Sequence, residues 1–282
     1  MRKKILYPFI PAILLLSVSA KIDPIEEDKN PVEKRMSFDC LLEIEKMQSE
    51  FKKNVDSMTL EEDYLKFIMA DAREIILNID GSKESQFFVY ADRNLARQIA
   101  LVCFFDSAAG KIAIIGADKI STGNPERKGY FPTPTGVFEN RVENPSYRAL
   151  GTKNQKGWMG LGVKNSRVWD FGWQETVKND QKFEIRLLMH ATDPVFGEKK
   201  LGEVDSKGCV RISARLNEFL DHYGILDKNY EENKHLRKVS WLLAADREPT
   251  VLAGKYLLIG DSGNSEYCPE DADNQGETAI NE

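Results

Sequence analysis

The sequence predicts a mainly β fold with flanking helices, of the α+β class. Three observations lead to this prediction: two segments with helical periodicity near the N-terminus, a series of short β-branched and aromatic runs from Phe87 onwards, and one amphipathic helix among those runs. At 282 residues, the chain is long enough for one large domain or two small ones with a sizeable core.

The first 20 residues have the organisation of a secretory signal peptide. A basic start at residues 2–4 precedes an apolar run at 5–16, and small residues at 18–20 offer a cleavage site. A membrane anchor is the alternative, but the apolar run is short for a bilayer and contains Pro8 and Pro11. We therefore expect export across the inner membrane to the periplasm or cell envelope, without a stable transmembrane anchor.

Charge and cysteine content limit the partners and the compartment. Without the signal peptide the chain has 36 basic and 45 acidic residues, a net charge of −9, and no concentrated basic patch. We therefore expect no nucleic-acid partner. Export permits disulfides. Cys103 lies in an apolar run typical of a core, whereas Cys40 and Cys268 are candidates for a pair that the sequence leaves open.

The exported chain divides into four segments. Residues 21–36 are charged, contain proline and lack an apolar period, so we interpret them as a linker; residues 37–82 form an N-terminal helical segment. Residues 86–262 form the β-rich domain. Residues 263–282 carry six acidic side chains and no Lys or Arg, which predicts a disordered acidic tail.

Two helices are predicted in the N-terminal segment. Apolar residues recur at helical spacing from Leu41 to Val55, so one side of the first helix is available for burial. The second helix is expected to begin at Thr59, with Glu62 completing a capping box, and to run to about Asn78.

Seven runs in the β-rich domain are candidate strands: "FFVYA", "QIALVCFF", "KIAIIGA", "SRVWDFGW", "FEIRLLMH", "SWLLAA" and "KYLLIG". One helix interrupts them. Ser213 is its expected N-cap and Gly224 lies near its end, with Leu216, Phe219, Leu220 and Tyr223 on one face.

Cys209, in the stretch "DSKGCVRI", is the candidate nucleophile. A thiol attacks as the thiolate, which requires a base or a positive neighbour. His190 ends the strand "FEIRLLMH", at an edge where loops gather, whereas His222 lies in the amphipathic helix and His235 in a charged loop. Only His190 is therefore a plausible partner. No two histidines have the spacing of a metal site, so we expect neither a metal nor a cofactor.

These residues belong to a longer recognisable pattern. "HATDP" followed by "SKGCVRI", with fifteen residues between His190 and Ser206, resembles the catalytic signature of the L,D-transpeptidase (YkuD-like) family. "TPTGVF" upstream and "GKYLLIGDS" near the end are also similar to that family's domain. The resemblance covers roughly Phe87 to Ser262.

The resemblance implies a β-sandwich-like catalytic domain that acts on the stem peptides of peptidoglycan. In this family the cysteine attacks the carbonyl of the third residue of a tetrapeptide stem, D-alanine leaves, and a thioester remains. An amine of a neighbouring stem then makes a cross-link, or water leaves a shortened stem. Carbapenem-type inhibitors acylate the same cysteine.

The resemblance also assigns catalytic roles. Cys209 is the expected nucleophile, and His190 the base toward its thiol and then the acid toward the leaving amine. Gly208 lets the backbone approach closely, so that the amides of Gly208 and Cys209 face the developing oxyanion. No acidic residue follows His190 directly, and we expect a backbone carbonyl, that of Ala191, to orient its ring.

Four further residues are candidates for substrate binding. Ser206 is expected to brace the turn through its hydroxyl, and Arg211 either to hold a substrate carboxylate or to serve as an ion-pair partner. Lys207 stands where many members have histidine, so its role is open between the site and solvent. Tyr130 is the best candidate among the aromatic residues that either floor a groove or fill the core: Tyr130, Trp158, Trp169, Phe171 and Trp173.

Two alternatives to a transpeptidase remain at this stage. The same site serves an L,D-carboxypeptidase or endopeptidase when water resolves the thioester. A protein of another class, a catalytically silent scaffold that binds peptidoglycan, is motivated by Lys207 and by the added N-terminal helices.

Overall fold

The structure, a computed structural model, describes residues 36–56 and 58–263. The expected signal peptide, nearly all of the linker, Cys268 and nearly all of the acidic tail lie outside the described residues. Within them, no helix combines the length and the apolar character that crossing a bilayer requires.

Helices flank a β-rich centre, as the sequence predicts. The helices are α1 (Phe38–Asn54), α2 (Glu62–Leu77), α3 (Ala214–His222), α4 (Lys228–Glu232) and α5 (Arg237–Ser240), with short 3₁₀ turns at Asp80–Lys83 and Glu198–Lys200. The strands are β1 (Gln86–Asp92), β2 (Ile99–Asp106), β3 (Lys111–Lys119), β4 (Gly136–Glu139), β5 (Tyr147–Arg148), β6 (Arg167–Lys178), β7 (Gln181–Ala191), β8 (Val210–Ile212) and β9 (Tyr256–Gly260).

The strands of the described residues form two mixed sheets. The five-stranded sheet has the order β3-β2-β1-β9-β4, and the four-stranded sheet has the order β5-β6-β7-β8. β1 pairs with β9 in parallel, as β7 does with β8, and the other pairs are antiparallel. A parallel neighbour requires a long crossover, and the chain between β7 and β8 supplies the loop that ends in Cys209.

The main core lies between the two sheets. Val89 of β1 and Met189 of β7 belong to one buried cluster, which α1 and α3 join through residues such as Phe51 and Phe219. Alternate residues of β1, such as Tyr90, point the other way into a second cluster beneath α2. This arrangement confirms a mainly β, sandwich-like domain with flanking helices, and it places the N-terminal helices in the core packing.

The helix after Cys209 confirms its predicted start. The Ser213 hydroxyl accepts from the Leu216 amide at 3.0 Å, which satisfies one of the unpaired N–H groups of the first turn of α3. β4, β5 and β8 were not among the predicted strands, because they are only two to four residues long.

The capping box predicted at Thr59 is wrong. α2 begins at Glu62, and its N-cap Glu61 makes no side-chain cap bond. The Met58 amide donates to the carbonyl of Ala117 in β3, and Leu60 packs against the α2 cluster. Because these contacts hold the connection along the sheet, the helix starts only after them.

The strand predicted at "SWLLAA" is also wrong. α5 ends at Ser240, and a turn follows. Val239 and Leu242 fill a small apolar cluster with Tyr230 and Val142. A short apolar run buries equally well in a strand or in a helical turn, so its composition does not distinguish the two.

Candidate active site

The candidate active site lies on the face of the four-stranded sheet that points away from the main core. One row of register partners crosses all four strands: Tyr147 of β5, Val168 of β6, His190 of β7 and Arg211 of β8. Paired residues point to the same face of a sheet, and their chain neighbours point to the other. Met189, next to His190, lies in the main core, so the row faces away from that core.

Cys209 ends the turn that leads into β8, two positions before Arg211. Its thiol is half-buried and donates to the carbonyl of Arg186 in β7, with 3.8 Å between Sγ and O. The structure therefore brings Cys209, His190 and Arg211 to one face on neighbouring strands. In this structure the thiol points along β7 toward the carbonyl of Arg186.

The turn around Cys209 is held by Ser206. The Ser206 hydroxyl donates to the Cys209 carbonyl at 2.6 Å and accepts from the Gly208 amide at 3.0 Å. Ser206 is almost fully buried, and its hydroxyl has both a donor and an acceptor partner inside the turn. The bracing contact expected from the sequence is therefore present.

Gly208 is required by the space around it. Its φ of +135° is one that side chains rarely adopt, and a Cβ there would lie 2.6 Å from the Ile185 side chain. The Gly208 amide is already engaged by Ser206, so it is not free to face an oxyanion. The expectation of two oxyanion amides is corrected at this residue.

Two residues that sequence reasoning missed clamp the other side of the turn. The Thr133 hydroxyl donates to the Gly208 carbonyl at 2.9 Å and accepts from the Gly123 amide at 2.8 Å. A Cβ at Gly123 would lie 2.9 Å from the Gly208 Cα and 1.9 Å from the Phe131 carbonyl oxygen. Thr133 lies within "TPTGVF", which belongs to the family resemblance, and Gly123 within "STGN"; both stretches are rich in turn residues, but neither singles out these two positions.

His190 is buried, and its ring orientation is set by its own backbone neighbour. Its Nδ1–H donates to the Ala191 carbonyl at 2.6 Å, as expected, which leaves Nε2 as the acceptor nitrogen. Burial lowers the pKa of His190 to about 4, the charge of Arg211 acts in the same direction, and the bond to Ala191 opposes both. The imidazole is therefore neutral at pH 7.

The pKa of the Cys209 thiol is shifted in the opposite direction, upward. Burial raises its pKa, as does the charge of Asp170, against a hydrogen bond from the Leu188 backbone and the charge of Arg211. The thiol is therefore protonated at neutral pH. A neutral thiol beside a neutral imidazole requires the proton to move during the attack, since no ion pair stands ready beforehand.

Three of the expected substrate-binding residues line one cleft of about 420 Å³: Tyr130, Lys207 and Arg211. Arg127 lies over the Tyr130 ring at 4.2 Å and Lys207 at 5.9 Å. Arg211 is bound to Asp205 at 3.0 Å. The cleft is basic in a chain of net negative charge, which suits a peptide that carries carboxylates.

The aromatic residues divide between core and surface. Trp169 and Phe171 are buried in the main core, whereas Trp173 is exposed on β6. Trp158 lines the same cleft as Tyr130 and stacks on Phe196, with ring centroids 5.6 Å apart.

A second polar cluster beside Cys209 gave no signal in the sequence. Asp170 of β6 is fully buried, and Arg186 of β7 binds it through both Nε and Nη2. Asp170 pairs with Leu188 in the register of β6 and β7, so Arg186, two residues from Leu188, is its diagonal neighbour on the same face. Among the described residues, no group of three or more His, Cys, Asp or Glu side chains is arranged to hold a metal ion.

Fold and site together define a class of protein: a two-sheet domain in which a Gly-Cys turn meets a histidine-bearing strand. The sequence model of the L,D-transpeptidase catalytic domain (YkuD) matches residues 79–228, just over half of the chain, including His190 and Cys209. The chain belongs to this family, whose function is in peptidoglycan. A comparison with curated proteins gave no match.

Proposed function

We propose that this chain is a cell-wall L,D-transpeptidase that forms a thioester on Cys209 from a tetrapeptide stem. The observation that carries the proposal is the shared face of β7 and β8. Cys209 lies two residues before Arg211, the register partner of the buried His190, and the bond from Nδ1 leaves Nε2 of His190 as the acceptor nitrogen. Its location is the cell envelope, on the periplasmic side of the inner membrane.

The first half of the reaction needs only these two side chains. Rotation about the Cα–Cβ bond of Cys209 turns the sulfur from the Arg186 carbonyl toward the imidazole and the substrate. The sulfur attacks the carbonyl carbon of the third stem residue while its proton moves to Nε2 of His190. The C–N bond to D-alanine then breaks, and the imidazolium returns the proton to the departing amine.

The second half reverses these roles. The amine of a neighbouring stem attacks the thioester, His190 takes its proton, the C–S bond breaks and the thiol is restored. The Cys209 amide is the oxyanion donor in this scheme, since that of Gly208 is used in the turn; one such donor is worth about 3 kcal/mol. Tyr130 and Lys207 bind the peptide along the basic cleft, and Ser206 holds the turn.

The test is acylation of the purified protein by a carbapenem, read by intact mass. We expect one adduct in the wild type and none in Cys209→Ala, whose turnover of a tetrapeptide falls by at least about a thousandfold. Cys40→Ala is the matched control, because Cys40 lies in α1, and it should keep the adduct. A wild type without an adduct contradicts the proposal and favours a scaffold.

Products from cell-wall sacculi separate the two enzymatic outcomes. New cross-links between third residues identify a transpeptidase, and shortened stems without cross-links identify a carboxypeptidase. Both reactions use the same thioester, so the Cys209→Ala variant must abolish either one.

A further inference from the structure

We infer a carboxylate-binding position at Arg186, beside the nucleophile, that takes the α-carboxylate of the amino acid displaced from the stem. The inference rests on the proposed function for the identity of this ligand. Arg186 was not among the residues expected from the sequence, and its role follows from its placement.

Arg186 adjoins the attacking sulfur. Its carbonyl accepts the Cys209 thiol at 3.8 Å. Along β7, Ile185 and Leu187 are buried while Arg186 is exposed, so its side chain leaves the strand on the outward face that also carries His190. The guanidinium and the thiol therefore stand over the same part of the four-stranded sheet.

The guanidinium of Arg186 is held in one orientation by the buried carboxylate of Asp170. Its Nε and Nη2 both bind Oδ2 of Asp170, at 2.8 and 2.6 Å. The other oxygen of Asp170 accepts from the Asn144 side chain and the Gly172 amide, each at 2.9 Å. Because Asp170 is fully buried and bonded on both oxygens, it fixes the Arg186 fork in place before any ligand arrives.

The same guanidinium keeps donors available for a ligand. An arginine has five N–H donors, and Asp170 uses those of two nitrogens on one edge. The Arg186 side chain is 48% exposed, whereas that of Arg211 is 19% exposed and bound to Asp205. Arg186 is therefore the more accessible of the two arginines near Cys209.

Tyr147 of β5 lies on the same face of the sheet, in the row of register partners that contains His190. Burial raises its pKa, and the charges of Asp170 and Cys209 act in the same direction while that of Arg186 opposes them. These four groups therefore lie within electrostatic range of one another.

The proposed reaction places an anion, the carboxylate of the leaving amino acid, close to the attacking sulfur. The leaving amino acid is joined to the attacked carbonyl through its nitrogen, and its free carboxylate is one carbon further on. When the sulfur meets that carbonyl, the carboxylate lies a few bonds from the thiol, within reach of a neighbouring guanidinium. A fixed arginine edge recognises a carboxylate through paired N–H donors.

The experiment compares release of D-alanine from a tetrapeptide with release of D-alaninamide from the same peptide amidated at its C-terminus. We expect the wild type to prefer the free acid. Arg186→Gln should raise KM for the free acid by at least about tenfold, change kcat by less than about threefold, and remove the preference. Arg186→Lys should recover only part of it, because an ammonium lacks the fork.

The matched control is Lys182→Gln. Lys182 is an exposed cation on the same strand and face, paired with Glu175 at 2.8 Å, and its loss should leave the preference unchanged. If Arg186→Gln fails to fold because Asp170 loses its counterion, the double variant Arg186→Gln/Asp170→Asn replaces it. An Arg186→Gln enzyme that still prefers the free acid overturns the inference.

A second measurement keeps the inference separate from the proposed function. N-acetyl-D-alanine should slow alkylation of Cys209 by iodoacetamide in the wild type, its amide should not, and Arg186→Gln should abolish the protection. Protection without turnover of any peptide would reject the transpeptidase and retain the carboxylate site. Equal alkylation with and without N-acetyl-D-alanine in the wild type would reject the site.

Discussion

The two sheets are built from similar residues but are covered differently. Every residue of β1 and β2 in the five-stranded sheet is buried, because α2 covers one face and the four-stranded sheet covers the other. β7 of the four-stranded sheet alternates between exposed and buried positions before it ends in His190 and Ala191. The candidate site therefore lies on the sheet whose outer face is not covered by a helix among residues 36–56 and 58–263.

This difference separates stability from reactivity. Changes to the covered side should lower the free energy of unfolding without altering the thiol, whereas changes to the outer face of the four-stranded sheet should alter the thiol first. Phe51→Ala and the pair Ser206→Ala and Tyr64→Phe test that separation, and the pH dependence of stability tests the charge state of His190 on the outer face.

The largest effect on stability is expected for Phe51→Ala. Phe51 of α1 packs edge-on against Phe219 at 5.1 Å and lies over Gly116 of β3, where a Cβ would be 2.2 Å from its ring. Removing a buried ring costs about 3–5 kcal/mol, measured by urea unfolding. The folded variant should keep the wild-type rate of acylation by a carbapenem.

Phe38→Ala is the control on the same helix. Phe38 is 73% exposed, so its loss should change stability by less than about 0.5 kcal/mol. A similar small effect for Phe51→Ala would mean that α1 is not part of the core.

The second effect is a pH dependence of the free energy of unfolding, and it is caused by the titration of His190. Its pKa is about 4 in the folded chain and about 6.5 when unfolded, so the unfolded state takes up the proton first as pH falls. The free energy of unfolding is therefore unaffected by His190 above pH 6.5 and falls as pH decreases from 6.5 to 4, and the total loss is about 3 kcal/mol.

The measurement is the free energy of unfolding in urea at pH 7, 6 and 5. His190→Gln should lose stability less steeply than the wild type over this range, because it lacks the titrating ring. His235→Gln, at an exposed position, should retain the wild-type slope. Parallel slopes for wild type and His190→Gln would contradict a buried neutral imidazole.

Residues with a local signature could be predicted from the sequence. Ser213 predicts the start of α3, because an N-cap is recognised from a few neighbouring residues. Cys209 and His190 belong to an ordered motif, so their proximity followed from the family resemblance. The ring partner of His190 is its immediate chain neighbour Ala191, which also made it predictable.

Residues defined by long-range contacts could not be predicted. Arg186 and Asp170 are polar positions on strands, a pattern typical of a solvent-facing side, and only the pairing of Asp170 with Leu188, two residues from Arg186, brings them together. Thr133 and Gly123 act on Gly208 from a distant loop. At Thr59, contacts with the sheet overrode a capping pattern that is favourable in isolation.

The smallest expected effect gives the most direct comparison of the two sheets. It compares the loss of one hydrogen-bonded hydroxyl near the four-stranded sheet with the loss of one near the five-stranded sheet. Ser206→Ala removes the two bonds that hold the Cys209 turn, and Tyr64→Phe removes the bond from α2 to Asp92 at 2.8 Å. Asp92 keeps its bonds to Asn94 and Ser262. Each variant should lose about 1–2 kcal/mol of stability in urea unfolding.

Only Ser206→Ala should also slow acylation of Cys209 by a carbapenem, by about tenfold or more, because a displaced turn misplaces both the sulfur and its amide. The rate of Tyr64→Phe should equal that of the wild type. If both variants slowed acylation equally, the reactivity of the thiol would depend on global stability. Stability and reactivity would then not be separated between the two sheets. If neither did, the turn would keep its geometry through Thr133 and Gly123 alone, and Ser206 would be a purely structural residue.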